Sequence, residues 1–467
     1  SWRKGCGGSG SSWGRLQRTR MPDAPKLRRE LGVRDLTLFA TTCIVSTRWI
    51  PAAAHSGPGA ISLWLLTAVL FVAPLAVTVG TLAAKYPGSG GLYLWTRGDF
   101  GPWHGFLCFW VYWMGMAVWF PSAAVFYMSS LFYGLGPGYQ HLADNRFAVL
   151  AASLAAIWTA LGTNLIGMKI GKWTENVGGV AVWIAGALIM AVGFLIWSKR
   201  GPATPINPMP VWNWETVSFW GSMAYGMSGL EMAALVGDEI HDPARTMPRA
   251  GWIASAVAVI FYIGTTAAML ALLRPDTISE MTGWGQAADA AGRSLGAMWL
   301  APAVALLVLL SGMGQFGGVG ASISRMPFAA GADGLLPKTF ARVHPRWGTP
   351  YVSILGLGTV ATFLMIAVQL GDTLRAAYQA MVSLMVIAGF IPYIYIFGSA
   401  WIAGKRVSAV CGWGITGMAI VTSVIPTAEI RNVWLFEGKL ALGTAAVIGS
   451  AWLVYRRRAA SRCGAEL

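Results

Sequence analysis

The apolar positions of this chain fall in long unbroken runs, not in alternation. Twelve runs stand out, at about 36–55, 60–84, 103–133, 147–166, 174–197, 216–238, 250–273, 295–323, 351–370, 376–402, 408–427 and 434–455. A helix rises about 1.5 Å per residue, so about 20 apolar residues cross the hydrocarbon core of a bilayer. Every run is long enough. Strands of a membrane barrel would alternate apolar and polar residues instead. The pattern predicts an all-α polytopic membrane protein with about 12 transmembrane helices, because a helix satisfies its own backbone polar groups inside lipid.

Composition agrees. Hydrophobic residues make up 55% and charged residues 11%, with a mean hydropathy of +0.57. A soluble domain carries about 25% charged residues, so too little charge is present to coat a water-soluble particle. A soluble domain, a secreted disulfide scaffold and a disordered chain are excluded. Cys6, Cys43, Cys108, Cys411 and Cys463 are far apart in sequence, and His55, His104, His141, His241 and His344 are equally scattered. Neither a C-x-x-C pattern nor a His/Cys metal site is expected, and no cofactor is implied.

The net charge of +15 changes its meaning once it is located. Nine Lys/Arg lie between Arg3 and Arg34, and four more between Arg456 and Arg462. Residues 1–34 read as a disordered basic tail without the apolar core of a signal peptide, and 456–467 as a second basic tail. Met21-Pro22-Asp23 resembles a start, so residues 1–20 are expected to be upstream translated sequence, or else a genuine tail on an anionic membrane face. With the N-terminus inside, 25 Lys/Arg fall on the inner side and 8 on the outer. Without the first tail the ratio is still 16 to 8. This asymmetry predicts a multi-pass protein of the cell membrane with cytoplasmic N- and C-termini, whose large partner is the lipid bilayer and not nucleic acid. Of the 24 Trp, Trp103, Trp197, Trp212 and Trp214 suit interfacial belts, whereas Trp110, Trp113 and Trp119 fall mid-span and suit bundle packing.

Candidate chemistry concentrates in the first and sixth runs. Ionisable groups at bilayer depth are costly, by about 2.5–3.5 kcal/mol on insertion scales, and usually mark function. Arg48 lies in the first run and Glu231 in the sixth. Both runs are interrupted. The first reads Val45-Ser46-Thr47-Arg48-Trp49-Ile50-Pro51, where Pro51 lacks an N–H. The sixth reads Tyr225-Gly226-Met227-Ser228-Gly229-Leu230-Glu231, where two glycines weaken the helix. Interrupted segments five spans apart point to a transporter with inverted repeats, here 35–197 (spans 1–5) and 216–403 (spans 6–10), with accessory spans at 408–455. Half-helix ends at the midplane would offer N–H groups to a carboxylate and C=O groups to an ammonium, as a zwitterionic amino acid requires. Ordinary kinked helices with structural glycines are the alternative.

Three stretches carry a resemblance. Tyr86-Pro87-Gly88-Ser89-Gly90-Gly91-Leu92-Tyr93-Leu94-Trp95 with Phe100-Gly101-Pro102-Trp103 resembles the loop between spans 2 and 3 of amino acid–polyamine–organocation (APC) superfamily permeases. Ser228-Gly229-Leu230-Glu231 with Gly237-Asp238-Glu239 and Asp242-Pro243-Ala244-Arg245 is similar to that family's sixth span and its exit. Ser324-Arg325-Met326-Pro327 through Gly334-Leu335-Leu336-Pro337, then His344 and Thr349-Pro350, is similar to its span 8–9 loop. The matches are correctly ordered and cover about residues 35–455. The resemblance implies a leucine-transporter-like fold of 5+5 inverted helices plus two. It implies substrate at the unwound parts of spans 1 and 6, walled by spans 3, 8 and 10. The implied substrate-binding set is Val45, Ser46, Thr47, Arg48, Trp49, Trp119, Phe120, Tyr225, Gly226, Met227, Ser228, Gly229 and Glu231, with Tyr225 as an aromatic gate.

One departure stands out: relatives carry a Gly-x-Gly break in span 1, where this chain has Val45-Ser46-Thr47-Arg48-Trp49. Three roles for Arg48 follow. It pairs with Glu231, or it contacts an anionic substrate group directly, or it snorkels to a helix end. Glu231 is either a fixed hydrogen-bond partner for the broken backbone or a proton carrier. Gly312, Gly314, Gly317, Gly318 and Gly320 suit close helix packing. Lys85, Arg97, Arg325 and Asp333 suit a loop gate on the inner side.

No phosphate-binding loop of the Gly-x4-Gly-Lys-Ser/Thr kind occurs, so energy comes from a gradient or from exchange. The function expected is secondary active transport of an amino acid by alternating access, with a polyamine or other amine, or exchange, as alternatives. H+ and Na+ are the coupling-ion candidates. A membrane-embedded enzyme would need converging His, Asp or Ser groups, which are missing; a non-transporting sensor would need longer loops.

Overall fold

The computed structural model describes residues 32–463 except 87, 89, 206, 208, 370–372 and 427–431. The N-terminal tail up to residue 31 and the last four residues of the C-terminal tail lie outside the described residues.

No strand forms among the described residues. The first span is two helices, α1 (Val33–Ile44) and α2 (Trp49–His55). The second is α3 (Ala60–Thr67) and α4 (Ala73–Lys85), joined by a π-helical turn at Ala68–Val72. A short helix, α5 (Leu92–Phe100), leads into the third span, α6 (Pro102–Gly134). After the single turn α7 (Gln140–Ala143) come α8 (Arg146–Ile166) and α9 (Met168–Arg200). The sixth span is again two pieces, α10 (Trp214–Gly226) and a 3-10 helix at Leu230–Glu239. The rest are α11 (Pro243–Leu272), the connecting helix α12 (Gly283–Leu295), α13 (Leu300–Ala332), α14 (Tyr351–Gln369), α15 (Leu374–Ile402), α16 (Arg406–Thr422) and α17 (Val433–Cys463).

Among the described residues, eight spans are long and apolar enough to cross a membrane unaided, α14 and α16 are shorter apolar helices, and the broken first and sixth spans complete twelve. With an even number of spans, α1 begins and α17 ends on one face of the bundle, called the starting face below. Several helices outrun their apolar stretches: α11 begins at Pro243 and α13 ends at Ala332. The added turns carry polar residues such as Arg245 and Arg325, which a hydropathy reading discards but a helix keeps once it leaves the hydrocarbon.

Burial sorts the spans into layers. The apolar window of α6 is 83% buried and that of α15 72%, against 17% for α17. So α6 and α15 run through the centre of the bundle and α17 lies at its edge, facing lipid. The mid-span aromatics of α6 behave as packing groups: Trp113 and Trp119 are buried, and Phe120 stacks on Phe316 of α13 at 5.5 Å. At the span ends Trp197, Trp212 and Trp214 are exposed, as an interfacial belt requires.

The glycines of α13 serve close packing. A Cβ on Gly178 of α9 would lie 2.4 Å from the Gly314 Cα, so the two backbones are in contact there. Gly178→Ala should cost about 1–3 kcal/mol by overpacking and lower the thermal unfolding midpoint in detergent. At the neighbouring Gly179 an added Cβ meets only Thr42 Oγ1 at 3.5 Å, an ordinary contact. Gly179→Ala should leave the midpoint almost unchanged, and equal effects of the two would show that the backbone contact is not limiting.

Candidate functional site

The break in the first span is at Val45–Thr47, ahead of Pro51. Pro51 itself sits in the first turn of α2, where a missing N–H costs nothing. What breaks the helix is that its polar groups find partners elsewhere. Val45 turns to extended backbone (ψ 114). The Ser46 N–H donates to Tyr262 Oη on α11 at 3.0 Å. Gln315 of α13 donates from Nε2 to the Val45 carbonyl at 2.7 Å. Its Oε1 accepts from Tyr127 Oη at 2.8 Å and from Ser46 Oγ at 3.3 Å. Trp284 of α12 donates from Nε1 to the Thr47 carbonyl at 2.6 Å. Side chains from three helices thus replace the intrahelical bonds, as buried backbone groups require.

The sixth span breaks for a different reason. Gly229 has φ +120, a conformation that side chains oppose, and a Cβ there would lie 3.0 Å from the Cys43 carbonyl oxygen. The two breaks therefore touch. Tyr262 links them: its Oη lies 2.8 Å from the Ile44 carbonyl and 2.9 Å from the Gly226 carbonyl, sharing its one proton between them. The Tyr262 ring is held by stacking on Trp64 at 4.4 Å.

Glu231 is buried at the start of the 3-10 helix. It accepts from the Gly229 N–H at 3.1 Å and from Tyr112 Oη of α6 at 2.7 Å. This is the arrangement of a carboxylate that caps broken backbone, one of the two roles considered for it.

Arg48 is only 1% exposed. Its Nε donates to Tyr378 Oη of α15 at 3.1 Å, and its Nη1 to Ser122 Oγ of α6 at 3.0 Å. The guanidinium carbon lies 4.8 Å from the centre of the Trp49 ring and 5.2 Å from that of Tyr378. Nη2 is buried without a hydrogen-bond partner among the described residues. Arg48 and Glu231 do not form an ion pair; each has its own partners. Nor does Arg48 snorkel, since its head lies in the bundle interior. Of the three roles the sequence allowed, a contact to a bound group is the one the geometry leaves open.

Tyr225 stands edge-on to Trp49 at 6.1 Å and to Phe390 at 5.4 Å, and its hydroxyl is also buried without a partner. The glycines beside it make the room: a Cβ on Gly389 would fall 2.3 Å from the Tyr225 ring, and one on Gly226 would fall 2.6 Å from Trp49 Cγ. Ser228 Oγ donates to the Tyr225 carbonyl at 2.7 Å, and Met227 is buried. Trp119 and Phe120 lie one turn from Ser122 on α6, packed against Phe316. The sequence-derived residues thus lie along the two breaks and the facing stretch of α6, Arg48 at Ser122 and Glu231 at Tyr112, two positions about 15 Å apart along that helix. Tyr262, Gln315, Trp284, Ser122, Tyr378 and Tyr112 contact these residues and were not singled out by sequence. Gln315, an amide inside an apolar run, was the one with a visible signal.

On the starting face, α5 closes against its neighbours. Lys85 Nζ pairs with Asp99 at 2.7 Å, and Tyr86 Oη donates to the same carboxylate at 2.6 Å. Arg97 pairs with Asp333 at 3.3 Å, and Tyr93 donates to Asp333 at 2.9 Å. Burial, with the Asp333 carboxylate second, holds the Tyr93 phenol above its usual range, which keeps it a donor.

Two broken spans meeting inside the bundle, each with a buried charge beside its break, define the leucine-transporter-like class of fold. The sequence profile of the amino acid permease family matches residues 31–436, and the chain belongs to that family, within the APC superfamily. It is similar to an uncharacterised transporter of Legionella pneumophila, 26% identical over 94% of this chain and 99% of the relative. It is also similar to the probable agmatine/putrescine antiporter AguD of Lactococcus lactis, at 22% over 72% of this chain and 71% of the relative. The branched-chain amino acid permease BcaP of Bacillus subtilis is 24% identical over 72% and 74%. The fold is shared with MhsT, crystallised with L-phenylalanine, at a TM-score of 0.61 and 14% identity over 92% of this chain and 100% of that one.

Proposed function

We propose that this permease is a secondary active transporter of an amino acid, working across the cell membrane by alternating access with both termini cytoplasmic. The substrate is held between Val45–Trp49 and Tyr225–Glu231, beside Trp119 and Phe120. The bundle of the first repeat, 35–197, rocks against the scaffold, with 216–403 as the second repeat and 408–455 as accessory spans. Transport is driven by an H+ or Na+ gradient or by exchange.

The observation that carries this reading is the free Nη2 of Arg48. A guanidinium clamped at Nε and Nη1, with donors left over at a helix break, suits a substrate carboxylate. The unpartnered Tyr225 hydroxyl supplies a second polar contact. The Glu231 carboxylate, which accepts from Tyr112 and from the Gly229 N–H, supplies the acceptor for an ammonium. The names of the family and of BcaP agree with an amino acid. AguD's name favours an amine as the second reading, but a free guanidinium repels a substrate that carries only positive charge.

Counterflow in proteoliposomes tests this. Vesicles are preloaded with acidic, neutral or cationic amino acids, or with putrescine, with and without Na+ and at two pH values. Saturable tracer accumulation is expected with a neutral or acidic amino acid and not with putrescine. Accumulation of putrescine alone would overturn the amino acid reading.

A further inference from the structure

We propose that a cleft on the starting face, between α6, α17 and the segment that follows α13, binds one anionic phospholipid. The cleft has a volume of about 330 Å³, at the lower end of small-ligand pockets. None of the residues at the two breaks lines it. Its walls are apolar, with Phe109 and Trp113 on α6, Pro327 on α13, Phe340 beyond it and Val454 on α17. Arg457 and Arg458 stand at one side of it.

Three observations select a phospholipid. The first is position: α17 is the least buried span, with Leu442, Trp452 and Leu453 exposed, so a cleft along it opens to the bilayer. The second is polarity order. Trp113 lies about 16 Å along α6 from its start, whereas Arg457 and Arg458 lie at the end of α17 that meets the headgroups. Apolar walls reaching inward from a cationic rim match an acyl chain below a phosphate. The third is an unanswered donor: Trp113 is 5% exposed, lines the cleft, and its indole N–H is buried without a hydrogen-bond partner among the described residues. A glycerol-ester oxygen, which lies below the phosphate, would satisfy it. Leu336 and Pro337 also line the cleft, three and four residues beyond Asp333, the partner of Arg97 and Tyr93. An occupant therefore bears on the loop that closes this face.

The test is native mass spectrometry of the full-length protein, delipidated in detergent and titrated with phosphatidylglycerol or phosphatidylcholine. One phosphatidylglycerol per protomer should be retained in preference to phosphatidylcholine. The double variant R457Q/R458Q should bind it about tenfold more weakly. W113F, which keeps the ring and loses the N–H, should bind it roughly fivefold more weakly. Unfolding midpoints check that both variants fold. Independently of any variant, photoactivatable phosphatidylglycerol should label peptides from 109–113, 336–340 and 454–458 of the wild-type protein. Equal retention of both lipids, unchanged binding by R457Q/R458Q, labelling confined to other peptides, displacement by inorganic phosphate alone, or a second protein copy in place of lipid would each overturn the proposal.

Discussion

Arg48→Ala abolishes uptake, lowering it by about 100-fold or more, while the protein stays folded. Truncating one partner of a buried, hydrogen-bonded charge contact costs about 2–5 kcal/mol of binding. Here the lost partner is the substrate carboxylate. Arg48→Lys should not restore transport. The three donors of an ammonium diverge from a single nitrogen, so it cannot span Tyr378, Ser122 and a carboxylate in one plane as the guanidinium fork does. The unfolding midpoint should move the other way. Without substrate, Arg48 is a buried cation with no ion pair among the described residues, eased by two hydroxyls, the Met385 sulfur and two aromatic faces, and such a charge destabilises the fold. Its removal should leave the substrate-free midpoint unchanged or higher. Uptake by Arg48→Ala at the wild-type rate would end the substrate-contact reading. Loss of uptake together with a collapsed midpoint would make Arg48 a structural residue.

Tyr262→Phe should be the second most damaging change, through position and not through contact with substrate. The ring and its stacking on Trp64 remain; only the hydroxyl is lost. That hydroxyl accepts from the Ser46 N–H and shares its proton between the carbonyls of Ile44 and Gly226. Without it the Ser46 donor is stranded and the tie between the two breaks is cut. Each buried group left unsatisfied costs about 1–3 kcal/mol, so a loss of a few kcal/mol in stability is expected. Uptake should fall with it, and the substrate concentration for half-maximal uptake should rise, because the backbone facing the substrate is no longer held in place. An unchanged half-maximal concentration would show that Tyr262 braces the fold without positioning the site.

Much of this site was legible before any fold was known, for a specific reason. Arg48 and Glu231 are expensive at bilayer depth, so their presence in apolar runs is conspicuous, and Gly226 and Gly229 mark where a helix loses its footing. The hydroxyls were silent. Ser122, Tyr262 and Tyr378 look like ordinary members of apolar spans until the bundle brings their oxygens to a broken backbone or a guanidinium. The pairing of Arg48 with Glu231 was the natural inference from two opposite charges five spans apart. It fails because each found nearer partners on α6, α15 and the local backbone, which sequence separation does not reveal.

The helical class, the twelve spans, the location of the breaks and the identity of the two buried charges were determined by the sequence, because bilayer thickness and the cost of unsatisfied or charged groups act on local composition. Which hydroxyl meets which carbonyl, where Arg48 sends its three donor nitrogens, and that a cleft edged by arginines lies beside α17 were decided only by tertiary structure. Those depend on the rotation and depth at which helices distant in sequence pack, set by contacts such as that of Gly178 with Gly314, and hydrophobic runs carry no record of either.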